Sequence, residues 1–570
     1  MPYRAPVEDV RFILSHVVGF DSLSATDRFA EATPDVTDAI LSGAARLAED
    51  ALAPLQRVGD THPARLENGI VRTPPGFAEG YRAIAEGGWI GICADPAHGG
   101  MGLPLTLGVA VMEMMAGACL SLQICPLLSM GQIETLEAHA PEDIRALYVP
   151  RLVAGDWTGT MNLTEPQAGS DVGALRCRAE PRGDGSFAIT GTKIYISWGD
   201  HDVAENVVHL VLARLPDAAP GSRGISLFLV PRHLPDADGR PGAANAVRVA
   251  ALEHKLGLHG SPTAVMEYDG ATGWMIGAPG RGLAALFTMM NNARLQVGAQ
   301  GVGVAEAACQ QALDWAQQRV QGRTPPQAGT EAIVGHPDVR RMLAETRADI
   351  FAARALMLDC AMAYDRAGAG DDASAVRAAI LTPVAKAQGT EVGIAAAQVG
   401  IQVHGGMGFI EETGAAQFLR DVRVSSIYEG TNGIQALDLV GRKLTADDGA
   451  AVLALIDAVA GQAASADPML AAIATPLAQA AKTLRATTTA LLAASEIDRA
   501  AGATVYLRAV ARVLGGGYHL RAAQASPDRV ALARLYAARL LPEVGALAAQ
   551  AQAGAVDLYA LSDADLAASA

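Results

Sequence analysis

A carboxylate in apolar company can act as a base, and the stretch IYEGTNGIQALDL (residues 427–439) contains one. Glu429 stands between an aromatic ring and a turn-forming run, with almost no charged neighbour along the chain nearer than Arg423 and Asp438. An apolar pocket disfavours the ionised form and raises the pKa, which suits proton abstraction; a buried or helix-capping carboxylate is the competing reading. In MNLTEPQAGSD (161–171), Pro166 and Gly169 build a loop. Its Thr164 and Ser170 hydroxyls and amides can hydrogen-bond a polar heterocycle or a phosphate, although an ordinary β turn needs the same residue types. KIYISWG (193–199) alternates so that Tyr195 and Ser197 share one face and Ile194, Ile196 and Trp198 the other. A ring and a hydroxyl side by side suit a flat cofactor, and a half-buried strand suits them equally.

Arg294 interrupts an apolar run and Arg319 ends a long helical pattern; each reads as an anion contact or as a helix-end or surface arginine. The adjacent Gly405 and Gly406 of QVHGGMGF (402–409) permit close backbone approach to a ligand, or mark a helix C-cap. GVGVAEA from Gly301 is not a dinucleotide fingerprint, because it follows no strand and lies inside a helical pattern.

These residues need large cores to hold them, and the composition supplies such cores. The chain has 570 residues, half of them apolar and only 18% charged, which implies three or four domains. A net charge of −16 with no basic run argues against a nucleic-acid surface. Six scattered cysteines without a CxxC pair imply neither a zinc ribbon nor a disulfide framework, no metal site is expected, and a reducing cytoplasm fits. No signal peptide is visible at MPYRAPVEDVRFIL. The apolar stretch at 107–131 contains Glu113, Pro126 and many small residues, so it reads as a buried helix pair rather than a membrane span.

Periodicity divides the chain into four parts. Apolar residues at three- and four-residue spacing predict a helical domain over 1–156, and short alternating runs with DG, PG and GS punctuation predict an all-β domain over 157–276. Long helical patterns return over 277–445 as a bundle, and an Ala-rich second helical bundle follows over 446–570. The fold class is therefore mainly α with a central all-β domain.

TEPQAGSD, KIYISWG, HKLGLHGSPT, NNARLQVGAQGVGVAEAA, QVHGGMGF, LRDVR and IYEGTNGIQ, in that order across residues 80–443, resemble the acyl-CoA dehydrogenase superfamily. The resemblance implies a helical domain, a β-barrel and a four-helix bundle, with FAD between barrel and bundle. It assigns flavin contacts to Met161, Thr164, Ser170, Tyr195 and Ser197, and a further one to Thr431. The adenine end of FAD, reached across a subunit interface, falls to Arg319, Gln402, Gly405 and Gly406. Substrate contacts fall to Arg294, Tyr428 and Gly430, and the catalytic base to Glu429.

The family often has Trp at the place of Tyr195 and Thr at that of Ser197, so ring and hydroxyl are kept; VQGR after Arg319 replaces a Phe-Gly that packs on adenosine in many members. The N-terminal extension and appended bundle resemble a larger bacterial subgroup that includes fatty acyl-CoA and 3-methylmercaptopropionyl-CoA dehydrogenases. The implied activity is α,β-dehydrogenation of an acyl-CoA, with electron-transfer flavoprotein as acceptor and a homodimeric assembly. An acyl-CoA oxidase and a non-catalytic flavin- or CoA-binding homologue are the alternatives.

Overall fold

The computed structural model describes residues 3–567, and most of them are helical around one set of strands. By contacts the chain divides into two compact units, one of Asp35–Gln296 and one of Pro6–Pro34 with the residues from Val297 onward.

In the first unit, the helical pattern before residue 156 is interrupted by a hairpin, β1 (Arg65–Glu67) and β2 (Ile70–Arg72). Its turn is Asn68-Gly69, with φ of 53° and 79°, the left-handed pair that a two-residue hairpin loop requires. The stretch at 107–131 lies in the Leu105–His139 helix, which breaks at Cys119 (φ −156°, ψ 89°) into the expected pair. By length and apolar composition this helix is able to cross a membrane, but 94% of its most apolar window is buried inside the protein.

Nine strands follow: β3 (Trp157–Asn162), β4 (Arg178–Pro181), β5 (Phe187–Ser197), β6 (Asn206–Arg214), β7 (Ile225–Pro231), β8 (His233–Pro235), β9 (Pro241–Ala244), β10 (Val247–Leu252) and β11 (Thr263–Ile276). Strand β11 pairs with both β5 and β7, β5 with β4, β4 with β6, and β6 with β7, so these five close into a ring. Strand β3 runs parallel on β6, and β10 flanks β11. Closure leaves an interior filled by Ile189, Ile196, Val211, Phe228, Val230 and Met266. Two buried polar contacts lie there: Thr160 meets His209 Nδ1 at 2.7 Å, and Tyr268 donates to Asn162 at 2.8 Å. Burial pushes the His209 pKa down to about 3, so its ring is neutral.

The second unit is built on a seam of glycines. The Gly282–Gln318 helix, from Val297 onward, crosses the Asp372–His404 helix at Gly298, Gly301, Gly389 and Gly393. A β-carbon on Gly301 would lie 2.2 Å from the Gly389 carbonyl oxygen, and one on Gly389 2.4 Å from that of Gly298. GVGVAEA is thus a packing surface, where only glycine lets two backbones touch. The Pro337–Gly368 helix packs beside them, and the appended Ala503–Ala525 helix lies on it, with Tyr518 donating to Asp359 at 2.7 Å and His519 Nε2 donating to the Ala348 carbonyl at 3.0 Å.

A buried ionic cluster joins these parts. Arg354, wholly buried, lies 2.9 Å from Glu306 and 3.5 Å from Asp9 in the N-terminal Val7–Ile13 helix; Arg347 also binds Glu306, and Arg529 of the appended region binds Asp9 at 2.7 Å. Burial raises the Glu306 pKa, but the two arginines outweigh it and hold it at about 2. A depressed carboxylate stabilises the fold above its unfolded pKa and loses that contribution as pH falls toward the folded value. Unfolding of the parent in urea is therefore expected to become easier as pH drops below about 4.3, the ordinary Glu value. Glu306→Gln, which removes the buried charge facing Arg354 and Arg347, is expected to cost roughly 3–5 kcal/mol at neutral pH and to flatten the acid dependence; equal urea midpoints for the two proteins at neutral pH would contradict this.

Candidate active site

The loop after β3 is pinned from beneath. Lys193 of β5 is wholly buried and lies 2.8 Å from Glu165 and 3.0 Å from the Leu163 carbonyl. Glu165 also accepts from the amides of Arg176 and Cys177, at 2.6 and 3.0 Å. Burial raises its pKa, and the Lys193 charge with these hydrogen bonds reverses that and lowers it overall. Thr164, half-buried, accepts at its carbonyl from the Ile194 amide at 3.0 Å, while Ser170 is exposed and Met161 half-buried on β3. The turn reading alone is too weak for this loop, because a buried ion pair fixes it to the neighbouring strand.

Strand β5 carries a bulge that re-aims its side chains. Opposite β11, Ala264 pairs with Ile196 but Met266 with Lys193, so one extra residue is inserted, and Tyr195 adopts φ 61°. Strict alternation would place Lys193 and Tyr195 on one face. The bulge instead buries Lys193 and leaves Tyr195 61% exposed, with Ser197 half-buried. Trp198, at φ 54°, turns inward, donating to the Ser121 carbonyl at 3.2 Å and stacking on Phe77. In the same unit Arg294 is 7% exposed within its helix, so it is neither a helix-end nor a surface arginine.

In the second unit the motif around Glu429 is a short strained connection. Glu429 has φ 56° and Gly430 φ 83°, and Thr431 then caps the Asn432–Asp438 helix, its hydroxyl accepting from the Ile434 amide at 3.2 Å. A left-handed backbone costs an ordinary residue roughly 1–2 kcal/mol. The preceding Tyr428 donates its hydroxyl to Gln300. Burial, and then the charge of Glu429, push the Tyr428 pKa up, so the phenol stays protonated. On the other side Asn432 is held by Lys386 at 3.0 Å, Thr390 at 3.1 Å and Glu391 at 2.7 Å, all on the Asp372–His404 helix. The residues that flank Glu429 along the chain are therefore anchored on both sides.

Arg319, Gln402, Gly405 and Gly406 converge at one end of this unit. His404 stacks on Trp315 with ring centroids 5.1 Å apart, and the Arg319 amide bonds the Trp315 carbonyl at 2.9 Å. Gly405, at φ 63°, is the helix C-cap, so the capping reading holds. A β-carbon on Gly405 or Gly406 would meet nothing within 4 Å, and Arg319 and Gln402 are exposed around that opening. An uncovered Gly-Gly shelf beside an exposed arginine leaves backbone and a cation open to a phosphate-bearing ligand.

Four family models match the chain in sequence: the N-terminal domain of acyl-CoA dehydrogenases over 35–156, the middle domain over 160–271, the C-terminal domain over 280–444, and an acetyl-CoA dehydrogenase C-terminal-like domain over 452–562. A 3-methylmercaptopropionyl-CoA dehydrogenase of Ruegeria pomeroyi is 46% identical over 79% of this chain and 77% of its own. The chain belongs to the acyl-CoA dehydrogenase family. A butyryl-CoA dehydrogenase of Syntrophomonas wolfei is 34% identical over 78% of this chain and 76% of its own. The crystal structure of Caenorhabditis elegans ACDH-11 with C11-CoA shares the fold, with a TM-score of 0.79 at 22% identity, covering 94% of this chain and 91% of that one. This acyl-CoA dehydrogenase is thus an oxidoreductase of a family whose members imply a flavin cofactor.

Sequence reading missed Lys193, Glu165, Gln300 and Gln435. A lysine leading an alternating apolar strand was the available signal for the first; Glu165 and Gln300 depend on contacts distant in sequence, and Gln435 on the backbone conformation of Glu429 and Gly430. Lys193→Met, which strands Glu165 in the interior, is expected to destabilise the protein by roughly 3–5 kcal/mol. Hydrogen exchange read by mass spectrometry should then accelerate at the Arg176 and Cys177 amides; unchanged protection there would show that the ion pair does not hold the loop.

Proposed function

We propose that this protein is an FAD-dependent acyl-CoA dehydrogenase that converts an acyl-CoA thioester to the trans-2-enoyl-CoA, with Glu429 as the base. The observation that carries this reading is the strained, left-handed backbone of Glu429 inside IYEGTNGIQ, in a chain of this family. Residues held in such sparsely populated conformations cluster at functional sites. Among the described non-glycine residues with positive φ, Tyr195, Trp198 and Glu429 all fall in motifs singled out for chemistry.

Met161, Thr164, Ser170, Tyr195, Ser197 and Thr431 would hold FAD, and Arg319, Gln402, Gly405 and Gly406 its adenine end. The bound flavin would supply a hydride acceptor for the β hydrogen. Glu429 removes the α proton, and its backbone amide is suited to stabilise negative charge growing on the thioester oxygen. Arg294, Tyr428 and Gly430 serve the acyl-CoA. The Thr431 hydroxyl already accepts its own helix cap, which leaves its O–H to donate. The 46% identity to a 3-methylmercaptopropionyl-CoA dehydrogenase supports that thioester or a short fatty acyl-CoA as substrate. A homodimer working in the cytoplasm, passing electrons to an electron-transfer flavoprotein, completes the reading.

Purified holoenzyme is expected to lose flavin absorbance on anaerobic addition of 3-methylmercaptopropionyl-CoA or butyryl-CoA. Glu429→Gln should slow that bleaching by about 10²–10⁴-fold, the usual worth of a general base; bleaching at the parent rate would sink the assignment. Stoichiometric peroxide in air without another acceptor would instead identify an oxidase. Light scattering is expected to give twice the chain mass.

A further inference from the structure

We propose that Gln435 is a positioning residue for Glu429, locking the left-handed backbone that aims its carboxylate. The inference rests on the reading of Glu429 as the base.

Two consecutive left-handed residues, Glu429 and Gly430, turn their carbonyls inward beside the helix that follows. The Gln435 side-chain amide donates to both carbonyl oxygens, each at 3.3 Å. Its own backbone amide donates to the Thr431 carbonyl at 3.0 Å, so the residue clasps the connection from the first turn of the helix. Rotation of either peptide out of this arrangement breaks one of those bonds. Tyr428 is tied to Gln300 on one side, and Asn432 to Lys386, Thr390 and Glu391 on the other. The ends of the segment are thus fixed independently, and Gln435 acts on the two peptides between them.

Gln435 is an expensive choice for a structural filler. It is 1% exposed, and its Oε1 is buried without a hydrogen-bond partner among the described residues. An unmatched buried acceptor costs roughly 1–3 kcal/mol, which a methionine of similar volume avoids. The side chain therefore lowers stability on one atom while ordering the base with the other. What it supplies is orientation: a carboxylate displaced by an ångström loses much of its rate advantage.

The test uses purified holoenzyme and 3-methylmercaptopropionyl-CoA and butyryl-CoA as probes. Gln435→Met is expected to lower kcat by about 10–100-fold with KM within about threefold of the parent, as for a group that orients the base rather than binding substrate. The acidic inflection of the kcat–pH profile should move, because the carboxylate changes surroundings, while flavin content stays at the parent value. Gln435→Glu, which keeps the shape but at alkaline pH offers no donor, should show the same kcat loss there and serves if the methionine variant does not fold. Parent kcat and pH profile in either variant would overturn the proposal, as would an activity loss explained wholly by lost flavin. Glu429→Gln separates the two claims. If it retains turnover, the base assignment falls; if it is inactive while Gln435→Met behaves as the parent, only the positioning role falls.

Discussion

The backbone contact between Gly298, Gly301, Gly389 and Gly393 governs the geometry of the candidate catalytic segment. Because no side chain separates the two helices there, Gln300 on one and Lys386 and Thr390 on the other reach the same short connection from different sides. A methyl group at Gly301 or Gly389 would drive the backbones apart, and overpacking of that kind costs roughly 1–3 kcal/mol or more. The larger effect would be on alignment, since Tyr428 and Asn432 would then be anchored to helices that no longer agree on their spacing. The strained conformation of Glu429 is sustained by this agreement, in keeping with the rule that unusual backbone persists only where its surroundings over-determine it.

The same principle recurs in the barrel with different materials. There the anchor is the Lys193–Glu165 pair, which fixes the loop after β3 to β5, and the re-aiming device is the bulge at Tyr195. In both places buried polar side chains lie beside an exposed or half-exposed residue whose backbone is left-handed.

How much of this the sequence discloses depends on the distance over which each feature is encoded. Helix and strand patterns are local, so the strand-rich stretch from Trp157 to Ile276 and the helices around it were legible, as was the broken helix containing Cys119. The β1–β2 hairpin was equally local in Asn68-Gly69, yet the helical period around it drowned the signal. Arg294 could be assigned to a surface or a site from its neighbours alone, and only burial decides for the interior. Alternation separates exposed Tyr195 from buried Ile196 but does not account for buried Lys193, because a bulge breaks the period of two. Gln435 stands in plain view in IYEGTNGIQ, but its task depends on positive φ at two other residues, which no residue-type pattern prints.

The ionic cluster around Asp9 bears on how the polypeptide reaches this state. Asp9 is made long before Arg529, and Arg521 donates to the Val17 carbonyl across 504 positions. Contacts of such separation form late, since the loop between them must first be closed. The Val7–Ile13 helix, whose Val10 and Ile13 are buried in the folded protein, therefore completes its contacts late. Its docking couples the N-terminal segment to the appended region: a substitution that loosens Asp9 or Arg529 would disturb both, exposing apolar surface of the kind that chaperones and proteases recognise.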